Sequence, residues 1–399
     1  MSLRIAYITT QFPAPSETFA CNDVRMLVEL GADVRVYGMR SPHSRAQEMA
    51  RERGVSNVTI SACGPREVVG GLLYAFYRID LLLKLVLWVV ALEWRRIGNL
   101  IRCLAFVPAS FFVLKELRRE RPDVVHLFWG HYPSLVGQLV LSDLRSVKVT
   151  MFLGAYDLAM RLAISGDLAR RVSGVFTHAR ANLHELAEVG VAASSVSVVH
   201  RGVDQSSLGK YVCDSVSKDL FEILSAGRLI ESKRFDAAIS LLPELPGFRL
   251  VIAGEGPDEK RLKDLAVSLG VADRVEFCGF LSQERLLKRM ASAGFFVLLS
   301  DKAGERLPNV VKEAMFAGCV CVVADTPGIE ELVAHGVTGF VVGNANSNMA
   351  SEIIRNLGHQ DIGLIRERAS LAIKDNFDLK VSMTCYLDRW VALCSADAH

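Results

Sequence analysis

Long apolar runs are missing from this chain. None reaches the ~18 residues that a bilayer-crossing helix needs, so no membrane span is expected. An excess of charge of one sign is missing as well. The 399 residues carry 46 Lys and Arg against 44 Asp and Glu, a formal net charge of +2. That balance gives no global electrostatic case for binding nucleic acid. The nine cysteines are scattered and include no C-x-x-C pair. This argues against a disulfide framework or a zinc site and suits a reducing, cytosolic compartment. Cys319 and Cys321 stand in a strand-like apolar run and read as core thiols. No G-x-G-x-x-G follows the first strand-like segment, so a dinucleotide site of that kind is not expected there. No D-x-D lies in a suitable loop, and no metal is expected. The N-terminus, M-S-L-R-I-A-Y, enters a strand directly, so no signal peptide is expected.

What is present is the pattern of a globular α/β protein long enough for two domains, with 51% hydrophobic and 23% charged residues. Residues 3–10 read as a strand, 11–16 as a proline-rich turn and 17–30 as a helix with Ser16 as N-cap and Gly31 as its stop. Residues 33–39 complete a βαβ opening. Further strands are expected at 122–128, 147–152, 175–178, 221–226, 248–253, 275–281 and 295–299. Residues 205–219 are polar and read as a linker.

Two stretches stand out. Between Arg66 and Arg121 there are ten Lys or Arg and five Asp or Glu, with an apolar run at 81–92 broken only by Lys84, and Trp88 and Trp94 close by. Basic residues mixed with Trp and Leu suit a helix lying at an anionic membrane surface, and a buried core helix or a dimer contact would show the same pattern. The second stretch is 301–318, D-K-A-G-E-R-L-P-N-V-V-K-E-A-M-F-A-G. Pro308 sits where a helix would start and Gly318 where it would stop. Glu305 then lies in the loop after a buried strand and Glu313 on the helix. The free amides near Asn309, Val310 and Val311 form an anion site favoured by the helix dipole. Carboxylates on both sides of an anion site suit a sugar, a diphosphate and a nucleoside.

The spacing Glu305-x7-Glu313 resembles the E-x7-E signature of the retaining glycosyltransferases of family 4. Gly227-Arg228-Leu229 followed by Lys233 resembles that family's G-R-L-x-x-x-K, and 275–279 its V-x-F-x-G. Phe12-Pro13 and Ser16-Glu17-Thr18-Phe19 resemble the opening of its bacterial exopolysaccharide and lipopolysaccharide members. The resemblance implies two Rossmann-like domains facing across a cleft (GT-B), here an acceptor-binding domain at 1–204, a nucleotide-sugar domain at 205–375 and a helix at 376–399 crossing back, with Tyr386 and Trp390 packing it.

It also implies site roles. Glu305 contacts the donor sugar and Glu313 the ribose hydroxyls. Arg228 and Lys233 reach the donor diphosphate. Leu307, Asn309 and Val310 line the phosphate site, Gly256 crowds the nucleotide, and the loop at Phe280 holds the base. Asp157 and His126 are expected at the acceptor side. Relatives often carry a histidine where Gly154 stands, three residues before Asp157, so this chain departs from the pattern there. The implied activity is metal-independent transfer from a UDP-sugar donor, with no separate cofactor, to a saccharide acceptor. The lipid-linked acceptor is suggested by the basic, Trp-containing stretch at 66–121, read as meeting an anionic membrane surface, and hence the expected setting is envelope or exopolysaccharide assembly, cytoplasmic and peripheral at the inner face of the cell membrane. A nucleotide-sugar epimerase on the same fold and a non-catalytic nucleotide-sugar-binding scaffold are the alternatives.

Overall fold

The computed structural model describes residues 2–15, 17–212, 218–301, 304–343 and 346–396. The chain divides into two compact units, one of Met1–Val199 with Lys380–His399 and the other of His200–Leu379. In the first, β1 (Arg4–Thr9), β2 (Asp33–Gly38), β3 (Thr59–Ala62), β4 (Val124–Leu127), β5 (Lys148–Phe152), β6 (Gly174–Thr177) and β7 (Val196–Val198) form one sheet in the order 3-2-1-4-5-6-7. In the second, β8 (Asp219–Ala226), β9 (Arg249–Ala253), β10 (Val275–Phe277), β11 (Ala293–Leu298), β12 (Val320–Ala324) and β13 (Phe340–Val342) run in the order 10-9-8-11-12-13. Every strand pairing is parallel.

Parallel strands need crossovers, and the crossovers put helices on both faces of a sheet. The central strands are therefore buried on both sides, and β4, β6, β11 and β12 are buried along their whole length. That is why they read in the sequence as short, unbroken apolar runs. Each sheet reverses its winding once, between β1 and β4 and between β8 and β11. In doubly wound sheets the crevice at such a reversal, at the carboxyl ends of the strands, is where ligands bind.

Several elements differ from their expected form. The helix expected at 17–30 is observed over Thr18–Glu29, and its expected cap, Ser16, lies outside the described residues. The polar stretch at 205–219 starts with one helical turn, Gln205–Leu208, capped by the Asp204 carboxylate, which accepts from the Ser207 amide at 3.1 Å. Residues 66–121 form four helices, Pro65–Tyr77, Ile79–Glu93, Ile97–Ala105 and Val107–Glu120. Among the described residues no single helix is long and apolar enough to cross a membrane. Cys319 and Cys321 are fully buried, and burial pushes both thiols up.

The last helix, Leu379–Ser395, returns the chain to the first unit. Its Tyr386 ring stacks on Phe176 with centroids 4.1 Å apart. The Trp390 indole is fully buried and donates to the Thr150 hydroxyl on β5 at 3.0 Å.

Candidate functional site

The loops that leave β8 and β11 meet at the winding reversal of the second sheet. After β8 the chain passes Gly227 and the exposed Arg228, then a 3-10 turn, Glu231–Lys233, and Arg234 in the left-handed region at φ 52°. After β11 come Ser300, Asp301 and Glu305. The Lys233 ammonium pairs with one oxygen of the Glu305 carboxylate, and the Ser300 hydroxyl donates to the other. Ser300 also lies 3.0 Å from the Ser232 carbonyl, which accepts from the Asp301 amide at 3.2 Å. Two motifs 72 residues apart in sequence thus share one ion pair. The side chains of Lys233 and Glu305 are 15% and 12% exposed, so the pair is shielded from bulk water while remaining reachable.

The helix after this loop, Asn309–Phe316, follows Pro308. Leu307, just before it, is buried and held at φ 48°, a conformation that side chains beyond glycine rarely adopt. The Val311 amide turns back to the Pro308 carbonyl at 3.0 Å. Asn309 and Val310 therefore carry the first amides outside the helix's own ladder, and Val311, expected to share in the anion site, is already engaged. The buried Lys312 donates to the Arg201 carbonyl at 2.7 Å and to the Asn309 side-chain oxygen at 3.2 Å, which orients the first turn. Glu313 lies further along the helix, where Gln283 donates to its carboxylate at 3.2 Å. The side chain keeps some surface, but the protein packed around its carboxyl pushes the pKa up to about 7 through desolvation.

At Gly256, expected to crowd the nucleotide, a close backbone approach requires glycine. A Cβ there would collide with the Leu229 carbonyl, and one on Gly254 with the Gly227 carbonyl. These glycines let the loops after β8 and β9 lie backbone against backbone, joined by the Leu229 amide to the Glu255 carbonyl at 2.9 Å. The Phe280 amide is 3.3 Å from the Glu255 carboxylate, and its ring is 76% exposed.

In the first unit, the loops after β4 and β5 are tied by Asp157. Its buried carboxylate accepts from the Gly130 amide at 2.9 Å and the Gly154 amide at 3.0 Å, and bonds the His131 imidazole at 2.8 Å. These bonds make Asp157 a positioning group for both loops. Gly154, where the family resemblance leads to the expectation of a histidine, starts the helix Ala155–Met160. A Cβ on it would press on the Phe152 and Trp129 rings at 3.1 and 3.3 Å. His126 is not at a ligand-accessible position, as the strand-end expectation had it. It is 1% exposed, its Nδ1 lies 3.0 Å from the Thr150 hydroxyl, and Tyr7, Phe176, Tyr386 and Trp390 surround its ring. The reason is periodicity: His126 is on the strand itself, inside β4, facing the layer that the last helix covers. The more accessible histidine is His131, in the loop, with a 15% exposed side chain.

Sequence reading missed Ser300, Gln283 and Lys312, and it preferred His126 to His131 at the end of β4. Ser300 directly follows a buried strand, and Lys312 is a lysine one residue from the signature's second glutamate. Those are weak signals, because nothing local says which way either side chain turns.

Residues 215–373 match the family described as Glycosyl transferases group 1, and residues 16–207 match Glycosyltransferase Family 4. The amylovoran biosynthesis glycosyltransferase AmsK of Erwinia amylovora is 24% identical over 95% of this chain and 97% of its own. A GDP-mannose:cellobiosyl-diphosphopolyprenol alpha-mannosyltransferase of Xanthomonas oryzae is 31% identical over 50% of this chain and 53% of its own. Among solved structures, Anabaena HepE in complex with UDP superposes with a TM-score of 0.73 at 17% identity, covering 98% of this chain and all of the other, a likeness of fold.

Proposed function

This chain belongs to the family 4, group 1 glycosyltransferases, and from that premise we propose that it transfers a sugar, with retention of configuration and without a metal, from a UDP-sugar to a lipid-linked saccharide. The setting is exopolysaccharide or lipopolysaccharide assembly at the cytoplasmic face of the membrane. The observation that carries the donor reading is the Lys233–Glu305 pair in the loops that leave the carboxyl ends of β8 and β11, with the Asn309 and Val310 amides opening the helix that follows Glu305. A diphosphate set there meets Arg228, Lys233 and the two amides together, and these stabilise the charge that grows as the glycosidic bond to phosphate breaks. The departing phosphate oxygen takes the proton of the acceptor hydroxyl on the same face of the sugar. Glu305, its charge balanced by Lys233, accepts hydrogen bonds from donor-sugar hydroxyls and orients the sugar. Glu313 accepts from the ribose hydroxyls. The exposed Phe280 ring and its loop flank the base.

The names of the relatives support the acceptor class: one acts in amylovoran biosynthesis and another on a diphosphopolyprenol-linked sugar. The nucleotide bound by Anabaena HepE supports UDP, and the Xanthomonas name makes GDP the competitor to test. A thermal-shift panel of UDP, GDP, ADP, CMP and their common sugars, run without added metal, tests the reading. A selective rise with UDP and one UDP-sugar is expected. A rise with GDP alone overturns the base assignment, and no rise with any nucleotide overturns the donor site.

A further inference from the structure

The helices between β3 and β4 leave an apolar face that the fold does not cover. Of the twenty-five large apolar side chains exposed in the described chain, thirteen fall between Val68 and Ile101. The helix Ile79–Glu93 explains why. One stripe, Leu81, Leu85 and Val89, is buried at helical spacing and ends in Glu93, whose carboxylate caps the Ile164 amide at 3.2 Å. A second stripe, Ile79, Leu83, Leu87, Val90 and Trp94, points away from the core and is 39–67% exposed. A helix apolar all round belongs in a core or in lipid, and this one is against the core on only one side. The helices before and after it, which pack along it, continue the exposed face. Leu73 and Phe76 stand out on the first at 67% and 62%, and Ile97 and Ile101 on the second at 67% and 61%.

The charges around this face choose its occupant. Arg66, Lys84, Arg95, Arg96 and Arg102 are exposed within it, against the single exposed acid Asp80. The Arg95 guanidinium lies 4.9 Å from the Trp94 ring centre. A second copy of the chain would bring like charges face to face across a two-fold contact. Anionic lipid headgroups would neutralise them while the acyl boundary receives the Leu, Ile, Phe and Trp side chains. We propose that this three-helix face docks on, and partly inserts into, an anionic lipid monolayer. The surface is separate from the donor site and its existence does not depend on how that site is read.

Flotation of the full chain with vesicles tests it, using phosphatidylcholine alone and phosphatidylcholine with phosphatidylglycerol. The chain is expected to float with the anionic vesicles and to be released by high salt. Leu83→Ser with Leu87→Ser, and separately Arg95→Glu with Arg102→Glu, should each weaken flotation about tenfold or more. All four residues are exposed, and an unchanged melting temperature and UDP-induced thermal shift would show that the fold and the donor site persist. Retention in the soluble fraction with anionic vesicles overturns the proposal. So does equal flotation with neutral and anionic vesicles. A dimer in lipid-free solution that Leu83→Ser with Leu87→Ser dissociates would assign the face to a second copy instead.

Discussion

In the proposed reading, the Lys233–Glu305 pair places much of the donor chemistry in two side chains that are each other's counterion. Glu305→Gln keeps the shape of the group and its bond to Ser300 but removes the charge. We expect transfer to fall by about 100-fold or more while nucleotide affinity changes little, because the proposed role of the carboxylate is toward the sugar and not the phosphates. A variant that retains full activity with purified donor and acceptor would remove the assigned role. Arg228→Ala takes away a charge-assisted contact and should weaken UDP binding by about tenfold or more, as read by calorimetry.

Glu313 gives a third expectation at this scale. Its folded pKa of about 7 lies above its ordinary 4.5, so the folded state prefers the neutral carboxyl. The stability it contributes is complete below about pH 4.5 and is lost as pH rises through about 7, at most about 3 kcal/mol. Glu313→Gln should flatten that part of the profile in urea denaturation across this window. An unchanged slope would count against the buried carboxyl. Glu305, Arg228 and Lys233 were legible as a set because motif and chain order named them. The raised Glu313 pKa was not, since desolvation depends on what packs around the carboxyl from elsewhere in the fold, and the bond from Gln283, on another helix, only partly offsets it.

At the scale of elements, the helix Pro65–Tyr77 contains two adjacent glycines with opposite roles. A Cβ on Gly71 would clash with the Pro108 carbonyl of the crossing helix Val107–Glu120, whereas a Cβ on Gly70 meets nothing within 4 Å. Gly70→Ala should therefore stabilise the fold by about 0.5–1 kcal/mol through helix propensity. Gly71→Ala should destabilise it by about 1–3 kcal/mol through overpacking. Melting temperatures of the two variants check the sign of each; equal shifts would deny the close crossing.

The same region shows how composition misleads about layers. The helix Ile79–Glu93 is the more apolar, yet one side faces water, while Val107–Glu120 carries a charged end and buries Phe111, Val113, Leu114 and Leu117. Packing decides this, because Val107–Glu120 lies between the helices Pro65–Tyr77 and Pro133–Asp143, which cover its apolar side. The central strands suffered no such ambiguity, because burial on both faces leaves a short apolar signature, whereas the edge strands β3, β7 and β13 are only partly buried and carry too weak a signal to be expected.

For the whole molecule, the first unit is closed by the end of the chain. Trp390 reaches Thr150 across 240 residues of sequence and lies over His126 at 5.2 Å between ring centres. Trp390→Ala should cost about 3–5 kcal/mol by leaving a cavity, whereas Trp390→Phe should cost about 1 kcal/mol, chiefly the lost indole bond. Guanidinium unfolding of both variants measures the difference, and a small effect of Trp390→Ala would mean that the last helix is only loosely held.

The sequence by itself determined the class of the two sheets, most of their strands and the residues proposed for the donor site. Those depend on local signals: apolar runs, helix starts and stops, and polar words at strand ends. Tertiary structure alone decided which strands lie side by side, that Lys233 and Glu305 neutralise each other, that His126 belongs to an aromatic core, and which side of residues 79–93 meets water. Each of these is a relation between segments far apart in the chain. Side-chain direction, desolvation and burial are set by whatever packs against a residue, and that partner is not written next to it.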